Sequence, residues 1–241
     1  MKLLFDIGNT RMKVSTAEHG NITPTENWLE LLHVAENVLV SNVAGPEALP
    51  KEVALHRNCK ILTWESPEAG LWLKKIPARG VRTIMTVEKI PAGLGADRVA
   101  ADIGARSIRP NQTLLIIDAG TCLTFDVIAK DGSIIGGAIS PGISLRLKAM
   151  HEHTAALPLL EPAGEHPILG YDTPTSMRSG AVNGVKWEIE GYIRSILASY
   201  PDLHVFFTGG DGTEFPKDLQ PIITCDTLLV QKGLLAAFGR N

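Results

Sequence analysis

The stretch KLLFDIGNT, residues 2–10, ends an apolar run on a carboxylate and a glycine. A second stretch of the same kind, TLLIIDAGT, occupies residues 113–121. Each is typical of a short buried strand that leads into an Asp-x-Gly turn and a second strand. The two copies therefore indicate an internal duplication, in which each copy opens one half of the chain.

Apolar runs alternate with helical stretches along the whole chain, which is typical of α/β organisation. The polar segment 106–113 contains a proline and separates the two copies. We therefore predict one domain over residues 1–108 and another over residues 109–241.

Two further elements of the second half can be predicted from local signals. The pair Asp131-Gly132 predicts a two-residue β-hairpin. The longest predicted helix covers residues 174–199, with Thr173 as its N-cap and Pro174 as its first residue, where a missing N–H costs nothing.

Composition excludes several classes of protein. The 241 residues are 44% hydrophobic and carry a net charge of -3, so no basic footprint predicts a nucleic-acid partner. No apolar segment approaches the roughly 20 residues that span a bilayer, and the N-terminus lacks a signal-peptide pattern, so no membrane partner is expected. Three widely spaced cysteines without a CxxC motif favour the reducing cytoplasm.

The first Asp-x-Gly turn has the chemistry of a phosphate site. Gly8 allows close approach, and successive backbone N–H groups can surround an anion. Thr10 adds a hydroxyl and Lys13 a positive charge, while Asp6 fits beside an anion if Mg²⁺ lies between them, bound directly or through water. We predict ATP binding by the residues of this turn, namely Asp6, Gly8, Asn9, Thr10, Arg11 and Lys13.

The alternative for a single turn is that the aspartate only ends a strand and bonds its own backbone. Two copies, one in each half, favour a nucleotide held from both sides. Other phosphate motifs are missing from the sequence, since there is no GxxxxGK[ST], and GLGADR at residues 93–98 has Arg98 where GxGxxG needs glycine.

Five motifs in order, DIGNTRMK, GADR, DAGT, GGAISPG and YDTPTSMRSG, resemble the type III pantothenate kinases of the acetate and sugar kinase, Hsp70 and actin superfamily. FTGGDG at residues 207–212 is similar to the adenosine-side loop of that superfamily. The resemblance implies two ribonuclease H-like, actin-like ATPase domains, each a mixed sheet flanked by helices, with a cleft between them. It implies ATP-dependent phosphorylation of pantothenate to 4'-phosphopantothenate, the first step of coenzyme A biosynthesis.

The GADR motif supplies the residue that would act on the substrate. The resemblance implies that Asp97 is the catalytic base and that Gly95, Ala96, Asp97 and Arg98 line the pantothenate site. A carboxylate can accept or orient the proton of a hydroxyl nucleophile. The alternatives from position alone are a first-turn carboxylate stabilised by the helix dipole for Asp97 and a surface helix arginine for Arg98.

The resemblance implies three further roles. Asp118 would coordinate a monovalent cation, K⁺ or NH₄⁺, and Thr121 would contact ATP; the alternatives are a strand-end turn and a satisfied hydroxyl. Thr173 would contact pantothenate across a homodimer interface. Gly180 and Gly184 allow close helix packing, against either a partner or the same chain.

One position departs from the family pattern, and two other functions remain open. Glu88 stands three residues before Pro91, where the family commonly has a tyrosine that holds the substrate. One alternative function is a kinase or phosphohydrolase of the same superfamily with another substrate. The other is a non-catalytic regulatory relative.

Overall fold

The computed structural model describes residues 1–63, 65–73, 93–210 and 214–239. Glu88 and Pro91, and the last two residues of FTGGDG, lie outside the described residues.

The first half contains five strands and four helices within the described residues. They are β1 (Lys2–Ile7), β2 (Met12–Glu18), β3 (Asn21–Pro24), α1 (Trp28–Leu31), β4 (Asn37–Asn42), α2 (Lys51–Ala54), β5 (Cys59–Ile61), α3 (Pro67–Gly70) and α4 (Ala96–Ile108). The second half, over the part of it that is described, again contains five strands and four helices. They are β6 (Leu114–Ala119), β7 (Cys122–Ile128), β8 (Ile134–Pro141), α5 (Ile143–Glu152), α6 (Thr173–Arg178), α7 (Gly184–Ser199), β9 (His204–Gly209), β10 (Ile223–Cys225) and α8 (Leu229–Phe238).

The two sheets have the same topology, which confirms the predicted duplication. The first has the order β3-β2-β1-β4-β5, and the second has the order β10-β9-β6-β7-β8, which is the same arrangement read from the other edge. In each, three antiparallel strands are followed by two strands parallel to the first. The predicted α/β fold of mixed sheets flanked by helices is therefore confirmed. The boundary at residue 108 stays a prediction.

Helices α4 and α8 form a layer between the two sheets. Leu4 of β1 and Ile116 of β6 belong to the same buried cluster as the apolar residues of both helices. The helices meet at backbone distance, because a Cβ on Gly104 would collide with the carbonyl oxygen of Leu229, and one on Gly233 with that of Ala100. The last helix of the chain thus packs on the last helix of the first half and also contacts β1 and β4.

Local details correct two predictions. The N-cap of the long helix is Asp172 instead of Thr173, because its side chain accepts the N–H of Thr175 at 2.8 Å and forms a capping box. This helix runs through α6, a π turn at Ser179–Asn183 and α7.

The predicted β7–β8 hairpin is present, but Ala129 and Ser133 close a loop of three residues instead of two. Gly132 donates its N–H to the oxygen of Ala129, and Ala129 donates to Ser133. Gly132 adopts φ +89°, which suits the left-handed position that closes a three-residue loop.

Candidate active site

Asp6 and Asp118 occupy equivalent positions at the ends of the first strand of each sheet. Asp6 follows Leu4 by two residues on β1, and Asp118 follows Ile116 by two residues on β6. Because side chains alternate along a strand, both carboxylates lie on the face that looks toward the α4–α8 layer. The two sheets therefore direct their acidic residues toward the same space.

The two Asp-x-Gly turns touch each other. The Thr10 and Thr121 hydroxyl oxygens are 2.6 Å apart, so one hydroxyl donates a hydrogen bond to the other. The Gly8 N–H donates to the Arg11 oxygen at 3.0 Å, and the Gly120 N–H donates to the Cys122 oxygen at the same distance. Two tight turns, 111 residues apart in sequence, therefore meet at one place.

The first turn of α4 supplies a third part of the site. Gly95 is its N-cap, and a Cβ there would lie 2.7 Å from Oδ1 of Asp97 and 3.6 Å from Val43. Val43 donates its N–H to the oxygen of Ile7 at 3.0 Å, so this turn lies beside the end of β1. Asp97 accepts the backbone N–H of Arg98 at 2.7 Å. The glycine thus leaves room for the carboxylate of Asp97 over the start of the helix.

Burial and neighbouring charges raise the pKa of two carboxyl groups of the site. Burial raises the pKa of Asp6 to about 6; Lys13 opposes this rise, while Asp118 and Asp97 add to it. Burial likewise raises the pKa of Asp118 to about 6, Asp97 adds to it, and Lys13 and Arg11 oppose it. The carboxylates are thus close enough to repel, and a cation between them would relieve this repulsion.

The donor set suits a cation that also binds substrate oxygens. Within the described ranges, no three His, Cys, Asp or Glu side chains come together as a metal cage. Mg²⁺ in kinases is typically held by one or two carboxylates, waters and substrate phosphates, so Asp6 fits such a site. Asp118 supplies an oxygen ligand that suits a hard cation.

Arg98 is neither a surface arginine nor free to move. Its Nε donates to Oδ2 of Asp126 at 2.8 Å, and its Nη2 donates to Oδ1 at 2.5 Å. The Arg98 side chain is 15% exposed and that of Asp126 is 3% exposed. The alternative prediction of a surface helix residue was therefore wrong. Arg98 joins α4 of the first half to β7 of the second.

The predicted site residues fall into two groups. The structure brings together Asp6, Gly8, Asn9, Thr10, Arg11, Lys13, Gly95, Ala96, Asp97, Arg98, Asp118 and Thr121. The other group is Thr173 alone, which is exposed at the first position of α6, and no described contact joins it to the two turns.

Sequence reasoning missed one residue near the site, Asp126, and did not give the contacts of two glycines that lie in the motifs GGAISPG and FTGGDG. Asp126 stands in the apolar stretch TFDVI. The signal that could have found it is an acidic residue inside a buried strand, on the same face as Thr124. Gly142 packs against the second turn, where a Cβ would collide with the oxygen of Gly120. Gly210 lies against Arg11, because a Cβ there would be 2.6 Å from Nη2 of Arg11.

Comparison with known proteins shows that the chain is similar to one family of enzymes. The family model described as Type III pantothenate kinase matches residues 2–195. A type III pantothenate kinase of Bacteroides fragilis is 35% identical over 248 residues, which cover 100% of this chain and 98% of the relative.

Two solved structures have the same fold. A Baf family protein from Campylobacter jejuni, described as a transcriptional activator, aligns with a TM-score of 0.59 and 22% identity over 99% of this chain and 98% of that one. The ethanolamine utilization protein EutJ from Carboxydothermus hydrogenoformans aligns with a TM-score of 0.50 and 15% identity over 99% and 89%. At these identities the likeness concerns the fold alone.

Proposed function

Because the chain belongs to the type III pantothenate kinase family, we propose that Asp97 takes or orients the hydroxyl proton of pantothenate while the two Asp-x-Gly turns hold ATP. The reaction is the ATP-dependent phosphorylation of pantothenate to 4'-phosphopantothenate, the first step of coenzyme A biosynthesis. The observation that carries the assignment of residues is the hydrogen bond between Thr10 and Thr121, since it joins the two turns into one site.

ATP lies across both turns in this proposal. Phosphoryl transfer depends on positioning and charge neutralisation more than on covalent chemistry. The backbone N–H groups after Gly8 and Gly120, with the hydroxyls of Thr10 and Thr121, hold the phosphates. Lys13, opposite Asp6 on β2, supplies positive charge at the same place.

Two cations complete the charge balance. Asp6 holds Mg²⁺ directly or through water, and Asp118 holds K⁺ or NH₄⁺; both carboxylates are buried and both have a raised pKa, which a bound cation would lower. When bound, the cations neutralise the charge of the transferred phosphoryl group. Asp97 lies close enough to act on both carboxylates, which supports a position for it next to the phosphoryl acceptor.

Pantothenate is the small-molecule substrate, and we assign its site to Gly95, Ala96, Asp97 and Arg98. Arg98 uses Nε and Nη2 on Asp126, so the pair holds the guanidinium in a fixed orientation from which Nη1 can face the substrate. The reaction is assigned to the cytoplasm because the three cysteines are free. Among the described helices, none has the length and apolar content to cross a membrane.

A homodimer would bring Thr173 to the substrate of the partner. The segment 157–171 before it exposes apolar side chains, with Ile168 exposed by 73% and Leu169 by 85%. Ser179 donates to the oxygen of Ile168 at 2.9 Å, so the π turn fixes this segment. A Cβ added to Gly180 would meet no atom within 4 Å among the described residues, which leaves this helix face open for a partner.

The dimer can be tested with two matched substitutions. Leu169→Glu should shift the protein toward monomer in sedimentation equilibrium and raise KM for pantothenate. Leu55→Glu is the control, since Leu55 is also exposed by 85% but follows α2. An unchanged mass for Leu169→Glu would mean that the interface lies elsewhere.

Asp97→Asn is the test of the proposed chemistry. We expect ATP binding to be retained and pantothenate-dependent ADP production to fall by about 100- to 10,000-fold, because a general base contributes this much. Asp218→Asn, at an exposed residue bonded to Arg194, is the control. Unchanged turnover would remove Asp97 from this role. The assay is run with and without K⁺.

A further inference from the structure

Asp102, in the middle of α4, has no exposed surface, and neither of its carboxyl oxygens has a hydrogen-bond partner among the described residues. Buried polar groups are normally hydrogen-bonded, and an unpaired buried carboxylate is among the most costly arrangements in a protein. The residue lies outside the two turns, and the reaction assigned above does not use it.

An ion pair lies one helical turn away. Arg98 precedes Asp102 by four residues on α4 and gives two hydrogen bonds to Asp126 of β7. The pair and Asp102 thus comprise one cation and two carboxyl groups. Both side-chain hydrogen bonds of the guanidinium go to Asp126, and Nη2 also donates to the oxygen of Phe125 at 3.5 Å. A second ionised carboxyl here would leave an uncompensated buried charge, which is strongly unfavourable.

The charged groups that affect the pKa of Asp102 lie on β7 and on α4 itself. Burial raises the pKa of Asp102 well above its usual range, Asp126 of β7 raises it further, Arg98 of α4 lowers it, and Asp97 of α4 raises it. On the other elements that pack on α4, Asp118 lies at the end of β6. Lys232 of α8 is bonded to Asp226 at 2.5 Å. The environment therefore favours the neutral acid.

We propose that Asp102 is a positioning residue that keeps its proton, so that Arg98 stays bound to Asp126 and the first turn of α4 keeps Asp97 in place. Arg98 connects the ion pair to the placement of Asp97, because its side chain binds Asp126 while its backbone N–H donates to Asp97 at 2.7 Å. Ionised Asp102 would compete with Asp126 for the guanidinium and would disturb that turn. The inference rests on the role of Asp97 proposed above.

The protonation state is tested by unfolding in urea between pH 5 and pH 8. Asp102→Asn has the same shape and cannot ionise, and Asp102→Leu is a second neutral variant in case the amide is not tolerated. Glu152→Gln, at an exposed carboxylate paired with Lys148, is the control.

The sign of the expected change follows from linkage. A carboxyl with a raised folded pKa contributes stability in acid that is lost as the pH rises through the interval between its unfolded and folded pKa values. The unfolding equilibrium constant of the wild type, divided by that of Asp102→Asn, should therefore rise by up to about tenfold per pH unit. A ratio that does not change with pH would overturn the neutral state of Asp102.

The positioning role is tested by the pH profile of kcat at saturating ATP and pantothenate. We expect kcat of the wild type to fall at alkaline pH, as Asp102 ionises, and Asp102→Asn to lack this fall. The same alkaline fall in both proteins would overturn the role. The urea arm does not depend on turnover, and Asp97→Asn tests the catalytic assignment separately, so failure of either proposal can be recognised.

Discussion

Asp6 in the first half and Asp118 in the second stand at the same position of the same strand ladder, but the residues opposite them differ. On β2 the partner of Asp6 is Lys13, whereas on β7 the partner of Asp118 is Thr124. The first half thus has a cation built into its ladder, and the second has a hydroxyl there. Of the two carboxylates, only Asp6 has a basic residue as its ladder partner.

On the other side of each strand the halves agree. Asp6 lies beside Ser41 of β4, and Asp118 lies beside Thr208 of β9, so both have a buried hydroxyl residue as their parallel neighbour. The duplicated framework is therefore kept, and the difference is confined to the antiparallel partner. We infer that Lys13 gives Asp6 a built-in positive neighbour, and that the monovalent cation proposed above would supply the matching charge beside Asp118.

The largest effects should come from removing each carboxylate. Asp118→Asn and Asp6→Asn should each lower kcat by about 100- to 1,000-fold, because a preorganised charge at the reacting group is lost. Asp118→Asn should also lose its response to KCl, whereas Asp6→Asn should keep that response and need more MgCl₂. ADP production across both salts measures this. A KCl response that survives Asp118→Asn would mean that the monovalent cation does not bind at Asp118.

Asp6→Asn and Asp118→Asn should each stabilise the folded protein when ATP and metals are absent. The pKa of each carboxyl rises from 3.8 to about 6, so each contributes stability in acid that is lost as pH rises through about 6. At pH 8 its removal should gain up to about 3 kcal/mol of unfolding free energy, and less at pH 5. Urea unfolding in EDTA and choline chloride measures the gain. Equal stability of variant and wild type at pH 8 would contradict it.

The basic ladder partner of the first half can be introduced into the second half. Thr124→Lys places an ammonium opposite Asp118, as Lys13 stands opposite Asp6. We expect the stimulation of turnover by KCl to fall by about tenfold, an amount that corresponds to about 1.4 kcal/mol of lost cation coupling. Thr124→Met, of similar length but uncharged, is the control. An equal loss of stimulation in the methionine variant would mean that bulk, not charge, is responsible.

The strands and turns could be predicted because their signals are local. KLLFDIGNT and TLLIIDAGT each contain a whole strand and its turn. The duplication, and the position of both carboxylates at the end of a strand, can therefore be predicted from the sequence. The N-cap was misplaced by one residue because Asp172 and Thr173 are both good capping residues. Asp172 is the N-cap because Thr175 and Asp172 form a capping box, in which each side chain bonds the backbone N–H of the other residue.

The parts that escaped prediction depend on neighbours distant in sequence. Gly104 and Gly233 look like helix-weakening residues until α4 and α8 are seen to pack at backbone distance. The partner of Arg98 is 28 residues away, on strand β7 of the other half, and no spacing rule connects them. The unpartnered state of Asp102 among the described residues likewise follows only from the packing around α4. Sequence patterns thus identified residues that the structure brings together, while the contacts that hold them in place became visible only in the structure.

The smallest effect concerns the contact between the halves itself. Thr10→Val and Thr121→Val each remove one hydroxyl of the 2.6 Å pair and keep the shape of the side chain. Both residues are exposed, so we expect a coupling free energy of only about 0.5 to 1 kcal/mol from a double-mutant cycle in urea unfolding. The coupling should grow when ATP is bound, because ATP bridges the same two turns. A coupling of zero in both conditions would mean that the turns act independently, and the two halves would then not form one nucleotide site.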